Sequence, residues 1–200
     1  MKIDFIFDFA SPNAYLCHKV IPGIEKRTGT NFNYIPCLLG GIFKLTNNQA
    51  PMLAFNGITN KLEYQNIEIS RFITKHGLEK FAMNPFFPIM TLQLQRGAIA
   101  AKLLNVFDDY LELVFKGMWE EGLNLGDQEI FLNLLSTSNN IDVQKLLDAA
   151  QSQAVKDELI NNTNMAVEKG AFGIPTFLVN DQEIFFGKDS LQDLEDFISN

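Results

Sequence analysis

Ile3-Asp4-Phe5-Ile6-Phe7-Asp8-Phe9-Ala10-Ser11-Pro12-Asn13-Ala14-Tyr15 reads as a strand that runs straight into a helix. The odd positions through Phe9 are apolar and Asp holds two of the even ones, the period-two pattern of a strand with one buried face. Ser11 suits an N-cap, because its hydroxyl accepts from amides of the first turn, and Pro12 suits the first helical position, where its missing N–H costs nothing. A capped helix entered directly from a strand presents unpaired amides and the positive end of its dipole, a place suited to an anion.

The second informative stretch lies near the other end. Gly170-Ala171-Phe172-Gly173-Ile174-Pro175-Thr176-Phe177-Leu178-Val179 sets a proline immediately before a β-branched and aromatic run. Proline is tolerated at the first residue of a strand, and the Ile174-Pro175 bond is a candidate for the cis form, which at X-Pro costs only about 0.5 to 1 kcal/mol. Such a bend exposes the backbone of Ile174 to an extended peptide pairing as an added strand. Asn180-Asp181 then marks a turn into Glu183-Ile184-Phe185-Phe186, a hairpin signal. Lys188-Asp189-Ser190-Leu191 opens a short helix with Leu191, Leu194 and Phe197 expected on one face.

Between these ends the period turns helical from about residue 62 to 169. Leu62, Ile69, Phe72 and Ile73 make one face, closed by Gly77; Leu92, Ala98 and Ala101 belong to a further helix, and Leu111, Val114, Phe115 and Trp119 to the next. Asp127 and Asp142 are expected N-caps. The first helix is expected from Pro12 to about Arg27, broken or kinked at Pro22-Gly23, with Gly29 at its exit. A buried second strand is expected from Asn31 to Leu38, followed by an irregular loop, Gly40 to Pro51, of the length that usually carries function. Asn84-Pro85-Phe86-Phe87-Pro88 interrupts the helices, and Asp108-Asp109 and Glu120-Glu121 read as solvated helix faces. The fold expected is α/β: a thioredoxin-like domain in two parts, 1–40 and 166–200, with a connecting loop and an all-helical insertion over 41–165.

Composition narrows the function. Two hundred residues, 46% hydrophobic and including 18 Phe, bury a substantial core without metal or disulfide help. A formal charge of −8 argues against nucleic acid and anionic membrane as partners, since phosphate binding needs a basic face. Cys17 and Cys37 have neither metal nor redox spacing, and His18 and His76 have no ligand-rich surroundings, so structural thiols and no metal are expected. No signal peptide or long apolar run is visible, and a cytoplasmic location is the expectation.

In the thioredoxin superfamily the strand–helix turn carries Cys-x-x-Cys, whose first thiolate the helix N-terminus stabilises. The corresponding residues here are Ser11-Pro12-Asn13-Ala14, so any sulfur has to be brought in, and glutathione is the natural source. With Ser11-Pro12, the Phe43-Lys44 segment, Asn48 to Pro51, Phe172 to Phe177, Phe185 to Leu191 and the Trp119-Glu120-Glu121-Gly122 helix end in order, the chain resembles the 2-hydroxychromene-2-carboxylate isomerase family, kin of kappa-class glutathione transferases, over nearly its full length.

The resemblance implies a glutathione-dependent isomerase acting in aromatic catabolism, the glutathione thiolate being stabilised by Ser11 and adding reversibly to an aromatic substrate. It equally leaves open a kappa-like transferase that conjugates glutathione to electrophiles, and a non-catalytic glutathione-binding protein. Carried over residue by residue, Ser11 is the catalytic partner of the sulfur, Lys44 and Asn48 contact the bound tripeptide or the substrate, and Ile174 before Pro175 pairs with the cysteinyl backbone. Asp189 and Ser190 meet the γ-glutamyl end, where relatives usually have Asp-Arg; Lys188 is the nearest replacement for that charge, but a point charge does not reproduce a guanidinium fork. Phe43, Phe86, Phe87 and Phe172 are candidates for an aromatic acceptor pocket. Dimers are frequent in such relatives; the oligomeric state of this chain stays open, a homodimer among the possibilities.

Overall fold

In the computed structural model, which describes residues 1–199, β1 (Ile3–Phe7) lies inside a four-stranded sheet between β2 (Phe32–Pro36) and β3 (Thr176–Val179). β4 (Glu183–Phe186) forms the edge beyond β3. β1 runs parallel to β2, with Ile3 opposite Phe32 and Phe7 opposite Pro36, and antiparallel to β3, with Ile3 opposite Val179. The parallel pair requires a crossover, supplied by α1 (Pro12–Thr28). The β3–β4 hairpin turns at Asn180 and Asp181, both at positive φ, a conformation Asn and Asp tolerate better than other side chains.

All five residues of β1 are buried, so the strand has two covered faces rather than the single one its alternation suggests. Asp4 and Asp8, expected on a solvated face, are each 1% exposed. Burying a carboxylate is tolerated when it is paired, and Asp4 accepts from Asn33 Nδ2 at 2.8 Å and pairs with Lys2 Nζ at 2.7 Å. Around these charges the core is aromatic: the Phe5 ring stacks on Phe177 at 5.1 Å, and Phe7 meets Phe9 edge-on at 5.4 Å.

α1 passes through Pro22 as one helix and ends at Gly29, φ 69°, whose N–H caps Glu25 O. Buried Ile21 and Ile24 on either side hold the helix across the one backbone bond that proline cannot make, so the expected break does not occur. β2 is shorter than expected and only half covered, because it is the other edge of the sheet.

Eight helices lie between β2 and β3: α2 (Leu39–Thr46), α3 (Pro51–Ala54), α4 (Lys61–His76), α5 (Leu92–Leu103), α6 (Phe107–Trp119), α7 (Gln128–Leu135), α8 (Val143–Gln151) and α9 (Gln153–Glu168). Asp127 and Asp142 cap α7 and α8 through their side chains, and Gly77 closes α4, as the sequence indicates. The segment read as an irregular loop is mostly α2 and α3. Tertiary docking overrides its two glycines: Thr163 of α9 caps the Leu38 amide at 3.0 Å, and a Cβ on Gly41 would come within 2.9 Å of the Thr163 methyl. Glu120 is likewise no solvated residue, since its carboxylate accepts from Tyr15 Oη at 2.9 Å and faces Lys19.

After β4 a 3-10 turn at Lys188–Ser190 leads into α10 (Leu191–Ser199), which packs on α1. Leu191 and Leu194 are buried as expected, but Ile198 is the third buried residue, and Phe197 is 42% exposed with one face on Phe185. Strand, helix, strand, helical stretch, hairpin and terminal helix together make the thioredoxin-like order.

One helix contact is tight enough to test. Gly97 of α5 lies under Tyr110 of α6, whose hydroxyl donates to Leu94 O at 2.8 Å, and a Cβ at 97 would fall 2.2 Å from that hydroxyl. Gly97→Ala is expected to lower stability by about 1 to 3 kcal/mol despite alanine's better helix propensity, read by urea melting.

Candidate active site at the strand–helix turn

The turn that delivers Ser11 is built on the Asp8 carboxylate. Its Oδ1 accepts from the Ala10 amide at 3.0 Å and from Thr91 Oγ1 at 2.6 Å, and its Oδ2 accepts from the Leu39 amide at 2.8 Å. Three segments therefore meet on one side chain: the turn itself, the first residue of α2, and the entry to α5. Burial pushes the Asp8 carboxyl above the ordinary carboxylate range, with the amides of Ala10 and Leu39 and the Thr91 hydroxyl pulling the other way. The Asp8 carbonyl takes the Ser11 amide at 3.0 Å, closing the turn.

Ser11 sits at the N-cap of α1 with extended backbone (φ −95°, ψ 113°), and its Oγ accepts from the Ala14 amide at 3.2 Å. The same hydroxyl donates to the carbonyl of Ile174, 163 residues away, at 3.2 Å. Ile174-Pro175 is cis, as the sequence suggested. Gly187 N–H bonds Pro175 O at 2.9 Å, which places the start of the 188–190 turn directly beside this segment. One position past Pro12, the side-chain oxygen of Asn13 is buried with no hydrogen-bond partner among the described residues.

Asn48 joins the same wall: its Nδ2 donates to Phe172 O at 2.8 Å. The Phe172 ring, 44% exposed, lies 4.4 Å from the ring of Phe186, 45% exposed, forming an open aromatic surface next to Ile174. Gly173 permits this approach, since a Cβ there would stand 2.9 Å from the Phe186 ring. Of the other phenylalanines considered, Phe86 is exposed, Phe87 packs on Trp119 and Phe43 is half-buried.

Lys44 stands exposed in the last turn of α2, with no ion pair to any described residue. Lys188 is 4% exposed and spends its charge on Asp189, at 2.6 and 2.5 Å to the two carboxylate oxygens, while the Asp189 side chain remains 69% exposed. Ser190 Oγ donates to Gly187 O at 2.9 Å and so braces the turn. The structure thus gathers Ser11, Ile174, Pro175 and Asn48 around the helix entrance and carries Asp189 and Ser190 at the end of the adjoining strand. Sequence reasoning missed Asp8, Thr91 and Phe186; an acidic residue at a strand end just before an N-cap was the available signal for the first.

Both cysteines are buried and unpaired, and burial raises both thiols well above their ordinary value. Neither stands at the helix entrance. Cys17→Ala combined with Cys37→Ala is expected to leave turnover within about twofold, because a thiol with a raised pKa is neither nucleophile nor redox group at neutral pH.

A mixed sheet whose central strand delivers an N-cap serine opposite a cis proline defines a thioredoxin-like protein without the redox cysteines. The chain belongs to the DSBA-like thioredoxin domain family, whose model matches residues 2–199. It is similar to the 2-hydroxychromene-2-carboxylate isomerase of Pseudomonas sp. (strain C18), 25% identical over 198 residues covering 98% of this chain and 89% of that one. It is also similar to glutathione S-transferase kappa 1 of Caenorhabditis elegans, 23% identical over 214 residues, with 98% and 90% covered. These curated relatives are enzymes by name. Among solved structures, a 2-hydroxychromene-2-carboxylate isomerase superposes with a TM-score of 0.83 at 24% identity, covering 99% of this chain and 94% of that one. The cytosolic disulfide reductase DsbM from Pseudomonas aeruginosa with GSH shares the fold at a TM-score of 0.63 and 12% identity, covering 99% and 97%. No described helix is long and apolar enough to cross a membrane.

Proposed function

We propose that the protein is a glutathione-dependent isomerase of the 2-hydroxychromene-2-carboxylate type, with Ser11 as the residue that sets the state of the sulfur. The observation that carries this reading is a buried hydroxyl at the N-cap of α1, aimed at the Ile174 carbonyl, in the position where a disulfide enzyme has its thiol. Glutathione, when bound, supplies a thiolate nucleophile and is recovered unchanged.

The residues present fit that group. The orphaned oxygen of Asn13 is a buried acceptor awaiting a donor at the helix entrance, and the exposed Asp189 carboxylate suits the γ-glutamyl ammonium. Ser11 Oγ, which now donates to Ile174 O, is free to turn its proton toward a sulfur anion while staying a neutral alcohol. A thiol with a pKa of about 8.5 needs a fall of roughly two units, about 2.7 kcal/mol, to be mostly thiolate at pH 7. A hydrogen bond to a charged acceptor contributes about 1.5 to 3 kcal/mol and a helix N-terminus about 0.3 to 2. The first turn of α1 holds no acidic side chain to cancel the second contribution. Asn48 pins the Phe172 segment, so the Phe172–Phe186 surface keeps its place beside the helix entrance, where it suits an aromatic acceptor. Lys44, exposed on α2 four residues before Asn48, suits an anionic substituent on the ligand. The net charge of −8 makes each such local cation matter for anionic ligands.

Calorimetry with glutathione tests the reading. Binding is expected, weakened about fivefold in Asp189→Asn, the scale of an exposed ion pair. Absence of heat and of any thermal shift would remove the isomerase and transferase readings together. With binding established, product analysis separates them: recovered glutathione means isomerase, and a stable thioether means a kappa-like transferase.

A further inference from the structure

A cavity of about 280 Å³ opens between α1, α4 and the corner where the 188–190 turn enters α10. Its α1 wall starts at Val20, nine residues beyond Ser11 and therefore about 14 Å along the helix axis, so it is not the corner holding the serine. Its size is near the lower end for small-molecule pockets, which start at about 300 Å³.

The cavity has an apolar base and a charged rim. Val20, Ile24, Phe72 and Leu191 supply the base. On the rim, Arg27 Nε is held by Glu195 at 2.5 Å, and Lys188 by Asp189, so these charges cancel in pairs. Arg71 and Lys75 of α4 have no ion-pair partner among the described residues, and Glu68 is the one acid of the lining left to set against them. One positive charge is left over on a chain carrying −8. His76 lies on the same lining with its ring 4.3 Å from Phe72, and burial first, then Lys75 and Arg27, push its pKa below the usual value.

We propose that this cavity is a second ligand site, taking a small carboxylic acid with an apolar body of one or two rings, the carboxylate seated by Arg71 and Lys75 and the body on the Phe72–Leu191 base. The proposal stands independently of glutathione at Ser11. An apolar base alone would accept neutral molecules as well; two unpaired cations at the rim select the anion. The two sites adjoin at the Lys188–Asp189 pair, so a glutathione whose γ-glutamyl carboxylate reached Arg71 would compete for the same cations.

Calorimetry with 2-naphthoate and its uncharged counterpart 2-naphthamide decides the matter. Naphthoate is expected to bind at least about tenfold more tightly than the amide. Arg71→Ala combined with Lys75→Ala, two exposed positions whose loss leaves the melting temperature near that of the parent, is expected to remove that preference and to leave glutathione affinity unchanged. Saturating glutathione is expected to leave the naphthoate affinity within about threefold. Equal binding of acid and amide, naphthoate affinity unmoved in the double variant, or full competition by glutathione would each overturn the proposal. The last result would assign the cations to the γ-glutamyl carboxylate.

Discussion

Ser11→Ala is expected to raise the pKa of the bound glutathione thiol by about 1 to 2 units, the amount a hydrogen bond of about 1.5 to 3 kcal/mol to a charged acceptor represents. Turnover at pH 7 falls with the thiolate fraction, by about 3- to 25-fold for a thiol that starts near pKa 6.5, while glutathione affinity changes little, because the tripeptide keeps its backbone and γ-glutamyl contacts. The thiolate absorbance near the ultraviolet edge, titrated against pH, reads the first quantity; steady-state rates read the second. Raising the pH should recover rate in the variant, since the missing thiolate is then supplied by titration. The fold also loses a cap, at about 1 kcal/mol, or about 2 to 4 °C for a chain of this size. An unshifted thiol pKa with a full rate would remove Ser11 from the chemistry.

The largest stability effect is expected at Asp8. Asp8→Ala leaves the amides of Ala10 and Leu39 and the Thr91 hydroxyl without their acceptor in a dry site. Each buried orphan costs about 1 to 3 kcal/mol, and with partial relaxation a total of about 3 to 5 kcal/mol is expected, a fall of about 10 °C in Tm. Asp8→Asn keeps one oxygen and turns a donor toward one of the two amides, so it is also destabilising, by less.

The pH dependence has a definite sign. Burial raises the folded-state pKa of Asp8 above the unfolded value of about 4, so the folded chain holds the proton more firmly. That contribution to stability is fully present below the unfolded pKa and is lost as pH rises through the folded one. The stability gap between wild type and Asp8→Asn should therefore narrow as pH climbs from about 4 to 7, measured by urea melts along the series. A gap that widened would mean that the three donors outweigh desolvation.

Asp8 also marks where the sequence stops being readable. The Ser11 cap, Pro12, the Gly29 exit, the Ile174-Pro175 bond and the Asn180-Asp181 turn are all local events, decided by a few neighbouring residues, and the structure places each as read. The fate of Asp4 and Asp8 is not local. Alternation predicts their exposure only if one face of β1 is bare, and that depends on partners such as Asn33 and Thr91, up to 83 residues away. Residues 40–51 are similar: glycine, asparagine and proline suggest a loop in isolation, and docking against Thr163 makes the first part, through Thr46, helical. Glu120 resembles any other acid on a helix until Tyr15 and Lys19 are folded against it. At the candidate site the structure brings together Ser11, Ile174, Pro175 and Asn48, which the sequence singles out by motif position, and sets beside them Phe186, whose place there comes only from its stacking on Phe172.

Having serine rather than cysteine at the helix entrance has a consequence for survival under peroxide. An alcohol has no rung on the sulfur oxidation ladder, and the chain's own two thiols are sealed in the core. On the reading proposed here, an oxidant that attacks the reactive sulfur spoils a dissociable small molecule, and the damaged copy is replaced by diffusion, with no repair of a catalytic side chain.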